Sequence, residues 1–155
     1  MRKVYLDHSA TTPSDQRVVA AMLPYLTEKF GNASSVHSFG QEARAAIDRV
    51  RRQVAAFVGA RANEIVFTSG GTEANNMGVR GLCEAAQSHG RHIITSAIEH
   101  PSVRSSIHGL EQRGWEATQL PVYDDGIVRV KDVQAALRPD TILISVMMAN
   151  NEIGT

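Results

Sequence analysis

The chain has 155 residues, 43% of them hydrophobic, with 16 basic against 16 acidic side chains. That is enough apolar material for one globular core, expected as an α/β domain, and the zero net charge gives no reason to expect nucleic acid or an acidic membrane surface as a partner. A single cysteine, Cys83, excludes an internal disulfide framework, the first residues lack an apolar secretion segment, and no run of about 18 apolar residues could span a bilayer, so the expected setting is soluble and cytoplasmic.

Ser14-Asp15 can cap a helix reaching about Lys29, with Val18, Val19, Met22, Leu23 and Leu26 on one face and Pro24 expected to kink it. A second helix is predicted from about Gly40 to Val58, where Ala43, Ala46, Ile47, Val50, Val54 and Phe57 recur at helical spacing and Gly59 supplies the stop. Its arginines, Arg44, Arg49, Arg51 and Arg52, read as a solvated face. A buried strand over 64–67 then runs into Gly70-Gly71 and a helix over about 72–88. After it the pattern alternates: strand 92–95, helix 101–113, strand 116–121, helix 130–138, strand 141–147. Apolar strands joined by amphipathic helices predict a mostly parallel sheet with helices on both faces. Ligands of such sheets bind beyond the carboxyl ends of the strands, so Thr68–Thr72, Ser96–His100 and Ala149–Thr155 should converge on one crevice.

The glycine pair is an anion cradle in outline. Gly70 and Gly71 let the backbone approach a ligand with no Cβ in the way, and the following helix offers unpaired N–H groups and the positive end of its dipole. A phosphate is the natural occupant, although an ordinary tight βα turn would use the same residues. Neither G-x-G-x-x-G with a following acidic residue nor G-x-x-x-x-G-K-[ST] is present, which sets aside dinucleotide and P-loop sites. His100, just before Pro101, would stand at a helix entrance facing the crevice, where its neighbours favour a functional role over a plain cap. A carboxamide of Asn150-Asn151 could donate to a ring oxygen or a carboxylate, or simply shape an Asn-rich turn. His37, His89, His92 and His108 have no metal-type spacing, and no metal is expected.

Five segments together carry a resemblance along the whole chain: Leu6-Asp7-His8-Ser9-Ala10-Thr11-Thr12-Pro13, Phe30-Gly31-Asn32-Ala33-Ser34-Ser35, Ile65-Val66-Phe67-Thr68-Ser69-Gly70-Gly71-Thr72-Glu73-Ala74-Asn75, Glu99-His100 and Asn150-Asn151-Glu152-Ile153-Gly154. They resemble the N-terminal motifs of cysteine desulfurases, pyridoxal 5′-phosphate (PLP) enzymes of the aspartate aminotransferase fold type in the class V aminotransferase superfamily. The resemblance implies that Gly71 and Thr72 hold the cofactor phosphate and that His100 stacks on the ring and moves protons as a catalytic residue. It implies that Asn151 lies near the ring oxygen and the substrate, with Asn150 the weaker match. By the same resemblance residues 1–14 form an N-terminal segment that packs with a small domain, and residues 15–155 form the N-terminal part of an incomplete PLP-binding large domain.

The family reaction takes sulfur from L-cysteine, leaving L-alanine and an enzyme persulfide that passes to an acceptor or scaffold protein for iron–sulfur clusters or thio-nucleotides. Its enzymes are homodimers. The chemistry needs a Schiff-base lysine and a nucleophilic cysteine. Lys3, Lys29 and Lys131 do not follow the family's Ser-x-His motif, and Cys83 falls inside the helix predicted over 72–88, where it reads as a packing residue. The expectation is therefore an N-terminal fragment that binds PLP weakly at best and is inactive alone. Alternatives are a piece of a selenocysteine lyase or another class V enzyme, or a non-catalytic binding module. His8 and Thr11-Thr12-Pro13 read as packing and helix-entry residues outside the site.

Overall fold

A computed structural model describes residues 2–155, which form two compact units adjoining in sequence at Phe67 and Thr68. The first is helical. Helix α1 (Gln16–Thr27) starts at Asp15, whose carboxylate accepts the Arg17 backbone N–H at 2.8 Å, and it continues through Pro24. Helix α2 (Ser38–Val58) begins where His37 Nδ1 accepts the Gly40 N–H at 3.4 Å, and it ends at Gly59 in the left-handed region with φ +69°. A Cβ at Gly40 would stand 2.3 Å from the Ser35 carbonyl oxygen and 2.7 Å from that of Asn32. Only glycine lets the Asn32–Ser35 turn lie against α2.

The strand expected over 64–67 is absent. Ala62–Glu64 form a 3-10 turn, and residues 65–67 follow as extended chain outside any sheet. Glu64 is drawn into the turn because its carboxylate accepts both the Arg61 backbone N–H and the Arg61 guanidinium at 2.7 Å. A β-branched apolar run becomes a strand only when a neighbouring strand pairs its backbone, and here none does among the described residues. Arg51 takes that place, donating to the Ile65 carbonyl and lying 4.9 Å from the Phe67 ring centroid.

The second unit is α/β: α3 (Gly71–Ala86), β1 (His92–Ser96), α4 (Pro101–Glu111), β2 (Glu116–Leu120), α5 (Val130–Ala136) and β3 (Thr141–Ser145). The strands pair in parallel in the order β2-β1-β3, with His92 opposite both Glu116 and Thr141. All five β1 residues are buried, as a central parallel strand requires. Ile93 joins Val79 and Cys83 of α3, Val103, Ile107 and Leu110 of α4, and Trp115 in the core, while Ile94 is buried on the opposite face. Cys83 is thus a packing residue, and burial pushes its thiol above the ordinary value.

His92 ties the three strands together. Its Nδ1 shares a proton with Thr141 Oγ1 and its Nε2 with Thr118 Oγ1, both at 2.8 Å. Desolvation, helped by Arg138, holds its pKa below 6.5, so it serves as a neutral polar staple. Among the described residues no helix is long and apolar enough to cross a membrane, and no cluster of His, Cys, Asp or Glu could hold a metal.

Candidate cofactor site

In the second unit, side-chain bonds tie the loop after β1 and the α4 turn that follows it to α3 on one side and to the loop after β3 on the other. In the first of the three loops, Gly70 caps α3 with extended backbone and no side-chain cap. The first intrahelical bond runs from the Ala74 N–H to the Gly70 carbonyl at 3.1 Å, so the amides of Gly71, Thr72 and Glu73 have no acceptor within the helix. A Cβ built on Gly70 or Gly71 meets nothing within 4 Å. The space beside both glycines is open to a ligand, not filled by packing.

Glu73 supplies the capping that Gly70 cannot. Its Oε2 accepts the Ser69 backbone N–H at 2.6 Å and the Ser69 hydroxyl at 2.7 Å, and these bonds hold the carboxyl below its ordinary 4.5. The loop ahead of the helix is thereby fixed while the Gly71 and Thr72 amides stay free.

The second loop leaves β1. His100 caps α4 ahead of Pro101, with its Nδ1 accepting the Ser102 backbone N–H at 3.1 Å and contacting the Ser102 hydroxyl at 2.7 Å. Asn75, one turn beyond Gly71, reaches across from α3 and donates from Nδ2 to Ser102 Oγ at 2.8 Å. That bond ties the first turns of α3 and α4 together.

The third loop follows β3 and hangs on two buried side chains. Glu99 Oε1 accepts the Ser96 hydroxyl at 2.7 Å and the Met147 backbone N–H at 2.6 Å, joining the exits of β1 and β3. Asn150 donates to the Ile98 carbonyl at 3.1 Å while its Oδ1 accepts the Glu152 and Ile153 amides at 2.8 and 3.0 Å. Asn150 is therefore a structural residue of the turn. Asn151 is exposed, and its Nδ2 meets only Glu152 Oε1 at 3.1 Å.

Sequence reasoning gave Asn75, Ser102 and Glu99 no role of their own. Each acts through a tertiary bond that periodicity does not encode, and only the position of Glu99 beside His100 hinted at its importance.

Residues 4–155 match the family model for aminotransferase class-V. The chain is 54% identical over 154 residues to the cysteine desulfurase IscS of Dictyoglomus turgidum, covering 99% of this chain and 39% of that protein. It is 48% identical to the cysteine desulfurase of Homo sapiens, covering 99% of this chain and 34% of the human one. Among solved structures, a NifS-like protein superposes with TM-score 0.94 at 37% identity, over 99% of this chain and 42% of its own. The structure described as SspA in complex with cysteine gives 0.89 at 36%, over 96% and 43%. The chain thus spans about two fifths of the length of these relatives. With the open helix entrance lying inside a match that runs from residue 4 to the last, the chain belongs to the aminotransferase class-V family.

Proposed function

We propose that this chain furnishes the phosphate-holding face of a PLP-dependent cysteine desulfurase. The observation that carries the reading is the Asn75–Ser102 bond at 2.8 Å, because it joins the first turns of the two helices that begin with the free α3 amides and with His100. The fit to PLP rests on the vacant Cβ space at Gly70 and Gly71 and on the unbonded first-turn amides.

When bound, PLP supplies an electron sink for bonds at the substrate α-carbon. The Gly71 and Thr72 amides would hold its phosphate, with Glu73 keeping the Ser69–Gly70 loop in place. His100 would present its ring, and Asn151 is free to turn its carboxamide toward a ring oxygen or a substrate carboxylate, steadied by the buried Asn150 beside it. Lys29 is paired with Glu42 at 3.1 Å, Lys131 lies 5.8 Å from the Tyr123 ring centroid, and Cys83 is buried. None of the three is set up to bond the cofactor or take up sulfur, and Lys3 does not follow a Ser-x-His motif, so the chain alone is proposed to be inactive. L-cysteine as substrate, a sulfur-accepting partner protein, a homodimer and a cytoplasmic setting belong to the same reading.

A chimera tests it. Replacing the aligned 154 residues of the Dictyoglomus turgidum protein with this chain is expected to preserve cysteine-dependent alanine formation, while the unfused chain with added PLP gives no more than free cofactor. A folded, PLP-loaded chimera that makes no alanine would contradict the substrate assignment.

A further inference from the structure

The bonds around His100 have a direction that can be worked out donor by donor. A backbone N–H can only donate, so the Ser102 amide at 3.1 Å requires a bare lone pair on His100 Nδ1. The Ser102 hydroxyl, 2.7 Å from the same nitrogen, must then be the donor of that contact. Having used its one proton, it can only accept from α3, and Asn75 Nδ2, a donor, stands 2.8 Å away. Ser102 is buried, and the three bonds around it are partly shielded from water. A neutral imidazole carries one proton, and with Nδ1 occupied that proton lies on Nε2.

We infer that Asn75 and Ser102 are positioning residues that fix the resting His100 in the Nε2–H form, so that the ring first meets its ligand as a hydrogen-bond donor. The inference rests on the reading that His100 faces a bound cofactor.

Side-chain 15N spectra of the full chain without cofactor, at about pH 8.5 and above the ordinary imidazole range, test this directly. His100 signals are identified by their loss in His100→Asn. The wild type is expected to show a bare Nδ1 and a protonated Nε2. Asn75→Asp keeps the shape but replaces the donor with an acceptor, which turns the Ser102 hydroxyl proton toward α3 and leaves its oxygen facing Nδ1. The Nδ1–H population should rise roughly fivefold. Ser102→Ala, which retains the backbone N–H, should raise it only about twofold, and Ser102→Thr should restore the wild-type shifts. A protonated Nδ1 in the wild type, or nitrogen shifts unchanged in both Asn75→Asp and Ser102→Ala while their amide spectra stay folded, would overturn the inference. Failure of the wild-type chimera to load PLP would sink the proposed function and leave these nitrogen shifts as they are.

Discussion

The two units use the same kind of amphipathic helix to different ends. In the second, the apolar stripes of α3 and α4 close on β1, and Leu110, Ile93 and Cys83 are each 0% exposed. In the first, α1 has no buried residue and α2 buries only Gly40, Ala43 and Ala55. Leu26 there is 72% exposed and Phe57 91%, and an apolar groove of about 1300 Å³ runs between the helices, lined by Val18, Met22, Leu26, Ile47 and Val50. A helical stripe states which face is apolar; it does not state whether the partner of that face is within reach. The candidate site residues follow the same division, because the helix entrances that hold them are anchored by the packed core.

The largest effects should separate the units. Leu110→Ala or Ile93→Ala is expected to cost about 2–5 kcal/mol, whereas Leu26→Ala or Met22→Ala should stay within about 0.5 kcal/mol. Trp115, the only tryptophan, lies in the second core, so its fluorescence during urea unfolding reports the second unit while far-UV circular dichroism also follows the helices of the first, and the two together read this contrast. Equal losses from both sets would break the comparison. Next comes Glu99→Ala, which strands the Ser96 hydroxyl and the Met147 amide and should cost about 3 kcal/mol in the same assay.

Acid sharpens the contrast further. His92 has its pKa depressed in the folded state, so the unfolded chain binds the proton more tightly. Its contribution is complete above pH 6.5 and is lost as pH falls from there toward the folded value. Thermal melts of the wild type should decline over that window, and those of Thr118→Val, already lacking one staple bond, should start lower. A small effect of opposite sign is expected at Gly71. With nothing within 4 Å of its Cβ position, Gly71→Ala should stabilise the chain by about 0.5–1 kcal/mol while weakening anion binding in a phosphate titration. A stability loss there would mean that the cradle is a packed turn.

Much of this was legible in the sequence for physical reasons. The βα alternation over 92–145 gave the parallel sheet, since strand and helix periods differ and both were strong there. Gly70-Gly71 and His100-Pro101 marked the two helix entrances through local backbone chemistry, and both helices begin there. The strand over 64–67 was misread because Ile65, Val66 and Phe67 suit a strand, whereas a strand also needs a partner that composition cannot supply. The Asn75–Ser102 bond was invisible for a related reason: it joins residues 27 positions apart, across two helices whose spacing is set by the core.

The central claim is that a phosphate is held where α3 begins, beside His100. Amide spectra of the 15N-labelled chain, titrated with pyridoxamine 5′-phosphate and in parallel with pyridoxamine, test it even at weak affinity, and an amine ligand cannot bond to lysines. Saturable shifts at Gly70, Gly71, Thr72, Glu73 and His100 with the phosphorylated ligand alone are the predicted result. Shifts elsewhere in the chain, or the same shifts without the phosphate, would contradict the account.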